Sequence, residues 1–374
     1  MSSTFARTDR SLVAQWWWTV DRWTILAVMA LIGFGSLLVM AASPAVAERI
    51  GSDGLHFVRR YFAVLPVAVM LMFIVSMMTP RGIRLLAMAG CSVGLVMLVY
   101  TLVGGIEIKG ARRWIDLPGM SIQPSEFVKP CFAVVSAWLF AQAKQRPGFP
   151  GSTIAIVLYG IIVALLIKQP DLGMAAVVSA VWFTQFFLAG LSIIWVVMLL
   201  IGGVAGLASA YMLLPHVASR IDRFIDPASG DSYQVDRSMD AFMNGGWWGR
   251  GPGEGTVKLS LPDAHADFVF AVAGEELGII FCLVIIGLFA FIVLRGFSRL
   301  LQEGNLYVVL AGTGLLVQFG LQAIVNMASS LHLMPTKGMT LPFISYGGSS
   351  LLALGIGMGM VLALTRRRFG DRDT

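Results

Sequence analysis

Charge is what this chain has least of. Asp, Glu, Lys and Arg together make up 13% of its 374 residues, where a soluble domain carries about 25%. Hydrophobic residues make up 57%, and the mean hydropathy is +0.79. These figures exclude a water-soluble enzyme. They also exclude a disordered chain, which is poor in apolar residues and rich in charge. Cysteine is equally scarce. Cys91, Cys131 and Cys282 lie far apart, each in an apolar run, with neither metal spacing nor a sensible pairing, and they read as small core residues. The four histidines are dispersed, so the sequence holds no His/Cys zinc cluster. A nucleotide loop is missing too. The stretch Gly245-Gly246-Trp247-Trp248-Gly249-Arg250-Gly251-Pro252-Gly253 is rich in glycine, but it lacks the closing Gly-Lys-Ser/Thr and a preceding strand. The formal net charge of +6 fits basic loops and is no argument for nucleic acid.

What the chain has in abundance is long apolar runs. A span needs roughly 20 apolar residues to cross about 30 Å of hydrocarbon. Ten such spans can be placed, at 23–43, 61–79, 85–105, 124–143, 153–168, 172–190, 192–213, 267–294, 306–331 and 346–365. The expected fold is all-α and polytopic: a short segment 1–22, a ten-helix membrane domain 23–365, and a tail 366–374. The first span is longer than a signal-peptide core of about 7–15 residues, so it reads as an uncleaved helix. Lys and Arg near the span ends place both termini in the cytoplasm, on the side of Arg7, Arg10, Arg22, Arg81, Arg84, Arg295, Arg299 and Arg366-Arg367-Arg368. The opposite face also carries cations, among them Lys109, Arg112, Arg113, Arg250 and Lys337, and an anionic ligand there would account for them. One outer loop is long, about 214–266, and loops of that length are usually functional. Trp16-Trp17-Trp18 with Trp23 reads as an interfacial anchor.

Ionisable groups beside or within apolar helices are the sharpest signal, since each costs at least about 2.5–3.5 kcal/mol at the bilayer centre. Four clusters stand out. The first is Lys109-Gly110-Ala111-Arg112-Arg113-Trp114 followed by Gln123-Pro124-Ser125-Glu126-Phe127-Val128-Lys129. Pro124 suits a first helical turn, and Glu126 and Lys129, three apart, can pair on one face. The cluster is either an interfacial salt bridge with snorkelling arginines or a site for a phosphate-bearing headgroup, for which the guanidinium fork is well shaped. The second, Lys168-Gln169-Pro170-Asp171, breaks two spans, with Asp171 placed to cap the second. The third is Leu261-Pro262-Asp263-Ala264-His265-Ala266-Asp267-Phe268-Val269-Phe270, running on to Glu275-Glu276-Leu277-Gly278. Asp267 falls where the long loop enters its span, and is either a helix cap or a carboxylate able to touch a substrate at the membrane surface. The fourth is Pro335-Thr336-Lys337-Gly338 and Leu341-Pro342-Phe343-Ile344-Ser345-Tyr346-Gly347-Gly348-Ser349-Ser350, a close-approach loop or, with Gly355 and Gly359, a tight helix contact. Asn326 is a buried amide better read as helix-to-helix glue than as a ligand.

Together the stretches KGARRW…QPSEFVK, KQPDLG, YQVDRS, LPDAHADFVFAVAGEELG and MPTKGMTLPFISYGGSS resemble the FtsW/RodA/SpoVE family, the SEDS polymerases. They run from residue 109 to 350. The lysine of Pro-Thr-Lys-Gly resembles the division branch rather than the elongation branch. The residue before Asp267 is Ala266, where relatives often have Thr; the carboxylate is untouched by that departure.

The resemblance implies peptidoglycan glycosyltransferase activity on lipid II at the outer face of the bacterial inner membrane, at the division septum. It implies partnership with a class B penicillin-binding protein and other division proteins, and Asp267 as the catalytic carboxylate. The residue chemistry is compatible. A sugar hydroxyl attacking an anomeric carbon benefits from a general base, worth about 10²–10⁴-fold. The diphosphate leaving group needs cations more than a proton, and a single displacement inverts the anomeric centre. Expected substrate-binding residues are Arg112, Arg113, Lys109, Lys129, Arg250 and Lys337, together with His265, Ser345, Tyr346, Glu126, Gln169 and Asp171. Glu126, Gln169, Asp171 and Glu275 would position helices or cations. A divalent cation on the diphosphate, Mg2+ or Mn2+, is left open, for no ligand set is legible. The rival readings are a lipid II flippase and a non-catalytic division scaffold.

Overall fold

The structure, a computed structural model, describes residues 11–49, 51, 53–108, 111–117, 120–190, 193–213, 217–219, 221–222, 233–335 and 338–367. Lys109, Lys337, part of the long loop and the end of the tail lie outside the described residues. Each apolar run coincides with a helix: α2 (Arg22–Arg49), α3 (His56–Ser76), α4 (Pro80–Gly104), α5 (Pro124–Gln145), α6 (Gly151–Lys168), α7 (Leu172–Leu188), α8 (Ile193–Leu213), α10 (Val269–Leu300), α11 (Leu306–Ser330) and α12 (Gly348–Leu364). The largest departures are at the ends of α2 and α10, which run on to Arg49 and Leu300. By length and apolar composition α2, α3, α4, α6, α10 and α11 are sufficient to cross a membrane.

Local chemistry sets the helix starts. Thr79 accepts from the Gly82 amide ahead of Pro80, Pro124 occupies the first turn of α5, and Asp171 accepts from the Met174 amide to begin α7. Three elements have no counterpart among the expected spans. A short helix α1 (Leu12–Thr19) precedes α2, and α9 (Tyr233–Gly245) lies in the long loop. The third is a three-stranded antiparallel sheet, β1 (Ile106–Ile108), β2 (Ala111–Leu117) and β3 (Met120–Ile122), in that order. Its register sets Glu107 opposite Arg112 and Asp116 opposite Ser121.

Helices α5 and α11 form the heart of the bundle. α5 packs between α4 and α11, α10 lies against α2 and α11, and the most extensive helix contact joins α12 to α3. That contact uses the small-residue spacing of α12. A methyl group built at Gly355 would lie 2.4 Å from the Ala68 carbonyl oxygen, and one at Gly359 2.7 Å from that of Met72. The three cysteines are buried and free. The tryptophan run splits its duties. Trp16 is buried and donates to the Ser76 hydroxyl at 2.9 Å, while Trp17, Trp18 and Trp23 are exposed and the Arg22 guanidinium lies over the first two.

One end of the bundle is tied by Asp21, which is buried just before α2. Its carboxylate accepts from Arg295 at 2.6 and 2.9 Å and from the Thr24 hydroxyl at 3.1 Å, and pairs with Arg299 at 3.2 Å. The chain beyond α12 joins the same end, where Arg366 donates to the Thr19 hydroxyl and the Arg367 amide to the Thr19 carbonyl. Burial opposes ionisation of Asp21, but the Arg295 hydrogen bond and the charges of Arg299 and Arg295 outweigh it, so its pKa lies below the ordinary carboxylate value. A group with a lowered native pKa contributes stability that is complete above its unfolded value, and that stability disappears as pH falls through the native one. Thermal unfolding in detergent should therefore show a loss of stability on acidification below about pH 4, and Asp21→Asn should flatten that part of the curve while lowering stability at neutral pH.

Candidate active site

The residues around Asp267 are held by backbone geometry. Asp263 adopts a positive φ of 52°, a conformation aspartate tolerates better than most residues. Its carbonyl thereby accepts the amides of Ala266 at 3.0 Å and Asp267 at 3.1 Å. Helix α10 follows with Phe268, not Asp267, at its N-cap and no side-chain cap bond. The half-buried Asp267 is thus not the cap of this helix.

Two other segments clamp the turn. Asn326 of α11 donates its amide to the Asp267 carbonyl at 2.9 Å and to the Met339 carbonyl at 2.6 Å. Ser345 donates to the Ala266 carbonyl at 2.6 Å and accepts from the Leu341 amide at 2.7 Å. The Tyr346 amide donates to the His265 carbonyl at 2.8 Å. Gly338 lies directly against the carboxylate, since a methyl group there would come within 3.1 Å of Asp267 Oδ2. His265 is buried between Phe57, stacked at 4.5 Å, and Tyr346, at 5.1 Å. Its Nδ1 has no hydrogen-bond partner among the described residues. Burial pushes its pKa down to about 4 against the pull of the Asp263 carboxylate, so it stands neutral at pH 7 as an aromatic wall.

A buried polar ladder supports this clamp from α5. Lys129, 3% exposed, pairs with Glu126 at 2.9 Å and donates to Gln322 Oε1 at 3.1 Å. The Gln322 amide donates in turn to the Thr340 carbonyl and hydroxyl, at 3.1 and 3.2 Å, and that hydroxyl meets Ser350 at 2.7 Å. Gln322 was not among the expected site residues, although the sequence carried its signal: Gln318, Gln322, Asn326 and Ser330 recur every four residues in an apolar span, which places them on one face.

The remaining expected residues stand in two further groups. On the sheet, Arg112 is exposed and paired with Glu107 at 3.3 Å. Arg113 donates to the carbonyls of Gln169 and Pro170 and lies 3.8 Å from Asp171. Gln169, 1% exposed, donates to Leu98 and Thr101 of α4. These bonds fix the α6–α7 break to α4 and to the sheet, and β3 of that sheet rests against α12. The other group is the glycine-rich loop. Arg250 is exposed and bonded to Asn244 at 2.7 Å. Asn244 donates to Glu275, which also accepts the amides of Thr256, Val257 and Lys258 at 2.7–2.9 Å. Lys258 pairs with Glu276, both buried. Gly245 and Gly249 permit close packing against the α10 backbone, and Gly246, Gly249, Gly251 and Gly253 supply the positive φ of the turns. Helix α10 is broken at Gly278, φ 82°, where the loop backbone crosses it.

Lys129, Arg113 and Ser345, expected as substrate contacts, have their polar atoms turned inward and support the site through other residues. Glu126, Gln169, Asp171 and Glu275 sit as positioning groups. Arg112 and Arg250 present their guanidinium groups to the surface. Among the described residues, no group of three or more His, Cys, Asp or Glu could hold a metal ion.

Breaking the α5 pair should be costly. Lys129→Met leaves Glu126 buried without its cation, a loss of about 3–5 kcal/mol, and should markedly lower the melting temperature in detergent. Glu126→Leu combined with Lys129→Met should recover a large part of that loss.

The chain matches the cell cycle protein family, FtsW/RodA/SpoVE, over residues 22–369. It is 45% identical to a probable peptidoglycan glycosyltransferase FtsW of Caulobacter vibrioides over 98% of this chain and 94% of that one. It is 36% identical to a protein of the same name from Trichlorobacter lovleyi, over 91% and 92%. Among solved structures, it resembles a chain of a peptidoglycan synthase complex that coordinates polymerization and crosslinking, with TM-score 0.76 and 27% identity over 92% of this chain and 97% of that one. It also resembles the rod-shape-determining protein RodA of Thermus thermophilus, with TM-score 0.68 and 27% identity over 95% and 99%. A match across nearly the whole chain and relatives at 36–45% identity make this chain a member of the FtsW/RodA/SpoVE family.

Proposed function

We propose that this protein is a peptidoglycan glycosyltransferase that polymerises lipid II during cell division, working at the outer face of the inner membrane with both termini in the cytoplasm. The observation that carries the reading is the Asp267 turn. A half-buried carboxylate stands at the head of α10, its own carbonyl and the preceding one held by Asn326 and Ser345, with Gly338 leaving room beside its oxygens. The relatives named as glycosyltransferases support it.

In this reading Asp267 takes the proton of the acceptor hydroxyl as that oxygen attacks the anomeric carbon of the donor. The bond to the lipid diphosphate breaks in the same displacement, inverting the centre from α to β. Developing charge on the diphosphate is met by cations at the outer rim, of which Arg112 and Arg250, both surface-exposed, and the neighbouring Lys109 and Lys337 are the candidates. A fixed carboxylate and fixed cations supply the pre-arranged electrostatics such a transfer needs, and the donor carries its own activation. A class B penicillin-binding protein would crosslink the product, as the synthase complex above pairs polymerization with crosslinking.

A flippase would need a polar path through the bilayer. The polar ladder of α5 and α11 is satisfied internally by Glu126, Lys129, Gln322 and Thr340, which favours the polymerase. The decisive assay uses purified protein and lipid II in detergent, where sidedness is gone. Glycan strands should form, and more strongly with the penicillin-binding partner than without it. Asp267→Asn should cut polymerisation by at least about 10²-fold with an unchanged melting temperature. Full synthesis by that variant would overturn the role of Asp267, and no synthesis by the wild type with its partner would return the flippase or scaffold.

A further inference from the structure

The long loop contains a segment that packs along α10. Its course can be followed by contacts. At the start of α9, Ser238 donates to the Ser330 carbonyl at the end of α11, at 2.7 Å. One turn later Phe242 lies against Gly274 of α10, and Gly245 meets the Gly274 carbonyl and Glu275. The chain then reaches the break in α10. The Gly246 carbonyl accepts the Ile279 amide at 3.0 Å and the Trp247 carbonyl that of Ile280 at 3.4 Å. From there the backbone turns and returns, the amides of Arg250 and Gly251 donating to the carbonyls of Glu275 and Glu276 at 3.0 and 2.9 Å. The segment therefore descends along α10, turns at 246–249 and climbs back.

Its depth follows from α10. Arg295, paired with Asp21, marks the far end of that helix. Seventeen residues separate Gly278 from Arg295, about 26 Å at 1.5 Å per residue, within a hydrocarbon layer about 30 Å thick. The turn at 246–249 thus reaches the boundary between headgroups and acyl chains.

The side chains of the segment are graded along the same direction. Asp236, Arg237 and Asp240 occupy the upper part of α9. Met239, Met243 and Trp247 recur every four residues toward the turn, and Met243, Trp247 and Trp248 are 81%, 66% and 82% exposed. Such exposure of three large apolar side chains is unfavourable in water. The patch continues directly into Ile280, Leu283 and Val284 of α10, the side of a spanning helix that faces lipid. Tryptophan is enriched at this level of a bilayer.

We propose that residues 239–251 form a re-entrant element whose tip, Met243, Trp247 and Trp248, is seated in the outer-leaflet lipid beside α10. The lipid is what covers this surface, because the patch adjoins the exposed apolar wall of α10, Asp236, Arg237 and Asp240 lie toward the opposite end of α9, and Arg250 on the returning segment is folded back onto Asn244. By holding the tip at a fixed depth, the bilayer holds Asn244 and the Glu275 cradle in place. The inference rests on α10 crossing the membrane and is independent of the role given to Asp267.

Fluorescence of the full chain in nanodiscs tests it. The chain has ten tryptophans, so the signal of the pair is taken as wild type minus the Trp247→Phe, Trp248→Phe double variant, with Trp248→Phe alone as a second difference if the double variant melts early. In phosphatidylcholine brominated near the head end of its acyl chains, the difference signal should fall at least about twofold further than in lipid brominated near the chain ends, as expected for a side chain at the interface. Iodide in the water phase should leave it largely unquenched. Quenching by iodide and not by brominated lipid would overturn the proposal. So would a signal shielded from water only after the penicillin-binding partner is added, which would make the patch a protein-docking surface.

Discussion

Lys129 needs hydrogen-bond acceptors where no water can supply them, and the shape of the site around Asp267 follows from how that need is met. Its ammonium is buried between α5 and α11 and is satisfied by Glu126 and by the Gln322 carbonyl group. Once that oxygen accepts, the amide end of Gln322 must donate in the opposite direction, and it does so to Thr340. Thr340 belongs to the segment that carries Gly338 and Ser345, so a charge buried in the bundle sets the position of the groups flanking residues 266 and 267. In a low-dielectric interior each of these bonds is strong, and each unsatisfied member would be expensive. The ladder is therefore all-or-none, a property well suited to fixing a carboxylate.

Carboxylates close in sequence take opposite assignments by the same logic. Glu275 receives three backbone amides and the Asn244 side chain, and Glu276 is buried against Lys258. Their oxygens are spent on folding residues 253–258 onto α10. Asp267 has its main chain fixed by Asp263, Asn326 and the Ala266–Ser345 bond, while its half-buried side chain is set at the rim. Fixing the backbone around a side chain orients it at little entropic cost to the step it would serve.

The helices were legible in the sequence because apolar runs of membrane length have few alternatives in lipid. The caps at Asp171 and the start at Pro124 were legible because their chemistry is local. The sheet at 106–122 was not: its strands are short, and Lys109, Arg112, Arg113 and Asp116 mask any apolar alternation. Nor did α9 announce itself, having too few apolar residues to stand out beside true spans. At the site, the sequence kept Asp267 and the Ser345-Tyr346 pair in separate clusters, and their meeting through the carbonyls of Ala266 and His265 is a tertiary contact it did not show; nor did the inward commitment of Lys129 and Arg113 show. A lone basic residue near a helix end has the same appearance whether it meets solvent or a buried amide on a helix far along the chain. Gln322 could have been found from its four-residue recurrence with Asn326, since a polar stripe on an apolar helix needs a partner.

The break at Gly278 divides α10 mechanically. Below it the helix is an ordinary rod, packed on α2 and α11 and anchored by Asp21. Above it the remaining turns exchange backbone hydrogen bonds with residues 246–251 as well as with themselves, so that this short stub belongs to the loop as much as to the rod. Gly278 is thus a joint rather than a continuation: the turns that follow Asp267 take their direction from residues 246–251 and from Asn326, not from the rod alone.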